Sequence, residues 1–95
     1  MHRVSVYEEE EVYRLVSVVV RASIAKEVDN LALDGWMRNL GTELVGFKLD
    51  NRGRLVGETW VPKPGLSNQE FMTYVRIIAA ECDRYEYQLT GSDAP

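Results

Sequence analysis

Apolar and polar positions change their spacing several times along this chain, and each change marks an element. From Arg3 to Ala22 the sequence RVSVYEEEEVYRLVSVVVRA is dense in β-branched residues, with Glu8 to Glu11 cutting the apolar run in two. Such side chains are stiff at χ1 and suit a pleated surface, so the stretch predicts two strands joined by an acidic hairpin turn. A rival reading runs a long helix from Glu8 onward, and the valine density counts against it. On the second strand, period-two alternation groups Val12, Val16, Val18, Val20 and Ala22, broken by Arg14, as the expected core face. Tyr13, Leu15, Ser17 and Val19 then lie on the other side.

After Ser23, a plausible N-cap, the spacing turns helical from Ile24 to Leu40 and ends at Gly41. Ile24, Val28, Leu31, Ala32, Gly35 and Trp36 form one apolar stripe; Leu33, Met37 and Leu40 form a second. Asp34 and Arg38 are spaced for an i,i+4 pair. A helix apolar over more than half its circumference has two surfaces to cover. One is its own sheet, and the other is a loop or another chain.

Glu43 to Leu49 and Arg54 to Val61 read as a second hairpin, with Asn51-Arg52-Gly53 as a three-residue connection whose glycine is left-handed. Setting Asp50 opposite Arg54 puts Val45, Phe47, Leu49, Leu55 and Val61 on one face, and Leu44, Val56 and Trp60 on the other. Phe47 then faces Gly57, whose missing side chain leaves room for the ring. Pro62 to Gly65 stop the strand. Leu66 to Phe71 form a capping box with a hydrophobic staple: Ser67 at the N-cap, Glu70 at N3, Leu66 against Phe71. The helix that follows lines up Phe71, Tyr74, Val75, Ile78, Ala79, Cys82 and Tyr85 on one face. Together these elements predict a single α+β domain over residues 1–95, in the order ββαββα: an antiparallel sheet of two β-hairpins with two helices.

Composition adds limits rather than chemistry. With 45% hydrophobic and 27% charged residues the chain can build a core. The net charge is −4 and the basic residues are scattered, which argues against nucleic acid as a partner. A single cysteine excludes an internal disulfide framework and suits a reducing compartment. No apolar run approaches the length of a membrane span and no leader pattern is present. The expectation is a cytoplasmic protein with no membrane partner.

No catalytic residue, metal ligand or cofactor-binding residue can be named. His2 lacks a positioned partner, and Cys82 sits on an apolar helix face that suits a small hydrophobe better than a nucleophile. Glu8 to Glu11 alternate sides on a strand and cannot converge on one ion. Asp50 to Gly53 lack the later ligands of a calcium loop. The expectation is therefore a non-enzymatic protein that needs no cofactor.

The segment Gly46-Phe47-Lys48-Leu49-Asp50, Gly53, Leu55-Val56, Pro64, Gly65-Leu66-Ser67, Phe71, and Asp83 with Tyr85 resembles the YbjN family, whose members share a fold with type III secretion chaperones. The resemblance covers the second half of the chain. It implies a chaperone-like α+β domain, commonly a homodimer, that binds other proteins or serves in regulation. Secretion chaperones begin with a helix and a further strand that have no room before Arg3, so the chain is expected to be a minimal version or a fragment.

Apolar surface left over from the core leads to the same expectation. Leu33, Met37 and Leu40 are the expected homodimer interface, and Tyr13, Leu15, Leu44, Val56 and Trp60 the expected face for a segment of a partner protein. The alternatives are a small-molecule-sensing regulatory domain and an accessory subunit.

Overall fold

A computed structural model of the chain describes residues 3–39, 41 and 44–91. The elements are β1 (Val4–Glu8), β2 (Val12–Val20), α1 (Ala22–Ala25), α2 (Leu31–Asn39), β3 (Gly46–Leu49), β4 (Leu55–Pro62) and α3 (Asn68–Thr90). The strands form one antiparallel sheet in the order β1-β2-β4-β3. Both hairpins expected from the sequence are present, and the α+β class and the ββαββα order hold. The helices lie on one face of the sheet, and among the described residues none covers the other, bare face.

The second hairpin has the register anticipated from its turn. Phe47 pairs with Gly57 and Leu49 with Leu55. Gly53 takes φ 77°, and Asp50 and Arg54 close the turn through Asp50 N–H to the Arg54 carbonyl at 2.8 Å. The Asp50 carboxylate accepts from the Arg52 and Arg54 backbone N–H groups, both at 2.9 Å, and holds the Arg54 guanidinium at 2.7 Å. Partial burial pushes this carboxyl up, but the bonds from Arg54 and Arg52 outweigh burial and hold it below the usual carboxylate value. At the start of α3 the capping box forms as predicted: Glu70 N–H donates to Ser67 Oγ at 3.1 Å and Ser67 N–H to Glu70 Oε1 at 3.0 Å. Left-handed Gly91 ends the helix.

The helix expected from Ile24 to Leu40 is not continuous. It forms one turn, α1, then a break, then α2. The N-cap of α1 is Arg21 rather than Ser23, without a side-chain cap. Asn30 lies at the break with φ 57°, a left-handed conformation that asparagine tolerates better than most residues. Asp29 and Asn30 both favour turns because their side chains compete for backbone hydrogen bonds. That local preference overrides the apolar periodicity on either side. Leu40, and Glu43 at the expected start of the second hairpin, lie outside the described residues.

From Val12 to Val19 the two faces of β2 are the reverse of the expectation; Val20 is in the core as expected. Leu15, Ser17 and Val19 are buried beneath α3, and Tyr13 packs edge-on to Phe71 with centroids 5.3 Å apart. Val12, Val16 and Val18 are only half buried and face away from the helices together with Arg14. A register shift between Val18 and Val20 then turns Val20 into the core as well. Valines on both faces made alternation ambiguous; Arg14 and the small Ser17 carried the better signal. Ser17 pairs with Gly57, and this small pair forms the notch into which α3 presses Cys82. A Cβ on Gly57 would lie 2.5 Å from Cys82 Sγ and 3.2 Å from Phe47 Cε1. Leu15, Leu55, Val61 and Ile78 complete this core, each burial stabilising by about 1.5–3 kcal/mol.

Candidate interaction surfaces

α2 lies along β3. Leu31 and Gly35 face inward, where a Cβ on Gly35 would meet Leu55 Cδ1 at 3.5 Å and Phe47 Cβ at 3.7 Å. Asp34 and Arg38, expected to pair with each other, both engage α3. Tyr85 Oη donates to the Asp34 carboxylate, and Arg38 lies 4.2 Å over the Tyr85 ring and donates to Gln88. Burial, then the Asp34 bond and charge, push the Tyr85 phenol well above its usual value. Asn39 grips the outer edge of β3: its Oδ1 accepts from Phe47 N–H at 2.7 Å, and its Nδ2 donates to the Phe47 carbonyl at 3.0 Å.

With its inner side fixed this way, α2 turns Leu33, Trp36 and Met37 outward, 55%, 60% and 58% exposed. Leu33 and Met37 were expected on this ridge. Trp36 was expected on the inward stripe with Leu31 and Gly35; those two do face the sheet, whereas the indole, one position past Gly35 and so about 100° further round the helix, joins the outer face. Spaced at i, i+3 and i+4, the three side chains share one surface.

The bare face of the sheet is the second candidate. Tyr7, Arg14 and Trp60 form a row across β1, β2 and β4, with the Arg14 guanidinium 4.5 Å from the Tyr7 centroid and 5.7 Å from that of Trp60. Glu58 binds Arg14 at 3.1 Å and Lys48 at 3.3 Å, tying β2, β4 and β3 together on this side. Trp60 is 52% exposed and Leu44 47%. Both line a shallow depression of about 460 Å³.

Of the five residues expected to form the partner face, only Leu44 and Trp60 are available there. Leu15 is fully buried and Tyr13 half buried on the opposite side of the sheet, under α3, because the faces of β2 are reversed. Val56 points to the bare face but is 2% exposed between its cross-strand neighbours Val18 and Lys48. Tyr7, 48% exposed, was missed. Its register opposite Arg14 was the available clue.

Reactive groups are sparse among the described residues. No protein-family model matches the chain, and no curated protein matches it significantly. Among the described residues no cluster of His, Cys, Asp or Glu is placed to hold a metal ion. Burial pushes the Cys82 thiol up to about 12, and Sγ donates weakly to the Ser17 carbonyl at 3.9 Å, so the sulfur is held as a neutral core atom. His2 lies outside the described residues. No helix among them is long and apolar enough to cross a membrane.

Proposed function

We propose that this chain is a non-enzymatic protein-binding module of the cytoplasm, chaperone-like or adaptor in character, that works as a homodimer in the manner of the YbjN family it resembles. The observation that carries the reading is the α2 ridge. A helix pinned to its own sheet by Gly35 and Asn39, and to α3 by the Asp34–Tyr85 bond, still presents Leu33, Trp36 and Met37 to solvent. Tryptophan and methionine are residues that interface cores favour, and burying them with Leu33 against their own symmetry mates removes the patch from water. A small domain also gains stability by such association. Each protomer of the dimer then offers its bare sheet face, with Trp60, Leu44, Tyr7 and Arg14, to a segment of a partner protein.

Light scattering after size exclusion tests the homodimer. Met37→Glu puts a charge in the ridge without touching the core, and the mass per particle is expected to fall at an unchanged melting temperature. A variant with the mass of the unaltered protein would refute the ridge as an interface.

A further inference from the structure

The two edges of the sheet are not equivalent. The β3 edge is closed at its centre, because the Asn39 amide occupies both backbone groups of Phe47. Among the described residues nothing pairs with the outer side of β1. Glu9 N–H donates to the Val12 carbonyl at 2.9 Å, which makes Glu9/Val12 a hydrogen-bonded pair. Alternation along an antiparallel ladder then assigns Tyr7/Arg14 and Ser5/Val16 to the same class, so Val4, Val6 and Glu8 turn their N–H and C=O groups outward. The strand carries neither lysine nor proline, the usual guards of an edge, and its Val6 is 46% exposed.

We infer that β1 pairs antiparallel with β1 of a second copy about a two-fold axis at Val6, joining two sheets into one of eight strands. In this register Val6 meets its own symmetry mate, and Val4 meets the partner's Glu8. All the outward groups of both strands fall into hydrogen-bonded pairs. Arg3 comes opposite the partner's Glu9. Both are exposed and fall on the same, bare side of the sheet, so each end of the ladder gains an opposite-charge pair. A parallel arrangement would instead set the two Glu8–Glu11 runs side by side, where like charges repel. The acidic turn thus selects the antiparallel mode. An axis normal to the sheet keeps all helices on one side and leaves the α2 ridges at the far edges. The two interfaces do not compete.

This inference is independent of the α2 homodimer, and sedimentation of two variants separates them. Val6→Pro removes an outward N–H without breaking a bond to β2; Met37→Glu disables the α2 ridge. With both interfaces active, the unaltered protein exceeds a dimer, each single variant is a dimer of the 10.9 kDa chain, and the double variant is a monomer. A Met37→Glu monomer beside a Val6→Pro dimer overturns the β1 pairing and keeps the ridge. The converse result keeps the pairing and removes the ridge.

Cross-linking supplies a second readout that does not depend on proline being tolerated. Hydrogen-bonded antiparallel partners sit about 5.5 Å apart at Cα, within disulfide range. Oxidation of Val6→Cys in the Met37→Glu background should give a covalent dimer, whereas Tyr7→Cys, set opposite the partner's Ser5, should not. Failure of Val6→Cys to cross-link, or equal cross-linking at both positions, refutes the register.

Discussion

Both faces of the sheet carry apolar side chains, yet they live in different physical worlds. Under the helices, packing is tight enough that Gly57 has no space for a methyl group, and Leu15, Val61 and Ile78 have lost all contact with water. On the bare side, Tyr7 and Trp60 flank Arg14 and remain about half exposed, held by charge–ring and ion-pair contacts that water weakens. Apolar content therefore does not locate a core. Shape does: the helix-covered side is marked by the small pair Ser17 and Gly57 that lets α3 approach, and the bare side by a charge in mid-strand.

Truncation should separate the faces most sharply. Leu15→Ala leaves a void beneath α3 and is expected to cost about 3 kcal/mol in urea unfolding; a loss below about 1 kcal/mol would mean that the strand faces the other way. Gly57→Ala drives a methyl into Cys82 Sγ and the Phe47 ring, for an expected loss of about 2 kcal/mol. Much of that loss should be recovered when Cys82→Ala removes the sulfur, and strict additivity of the two substitutions would disprove the contact.

The hairpin tip that fixes both faces in register should respond more gently. Asp50→Asn is expected to cost about 1 kcal/mol at neutral pH through its bonds to Arg52 and Arg54. Because the folded carboxyl lies below its unfolded value, its contribution is full at neutral pH and is lost as the pH falls below about 4, through the folded value. The difference in stability between the two proteins should therefore narrow on acidification. Smallest of all is Trp60→Ala on the bare face, with an expected change under about 0.5 kcal/mol in thermal unfolding. A large loss there would make the ring part of the core and remove it from any partner surface.

What could be read from the chain follows how local the determinants are. The second hairpin and α3 were legible because Gly53, the Asp50–Arg54 closure and the Ser67–Glu70 box each act within a few residues. The break at Asn30 was local too, but an unbroken apolar rhythm around it masked the Asp29-Asn30 signal. The facing of β2 was not local. It depends on which side α3 approaches, a contact between Ser17 and Cys82 across 65 positions of sequence, and valines on both sides gave alternation nothing to choose between. The reversal of β2 put Tyr13 and Leu15 on the wrong side, Val56 faces as expected but is enclosed by Val18 and Lys48, and with Trp36 on the inner stripe the ridge on α2 was drawn one residue short.

Cys82 fits the notch so closely that the protein carries its own stability gauge. With no exposed thiol among the described residues and this one both enclosed and hard to ionise, a sulfhydryl reagent can react only after α3 lifts from the sheet. The rate of labelling at increasing reagent concentration thus measures how often that opening happens. Its change on adding a bound peptide, or on self-association, would report how firmly each event clamps the helix down.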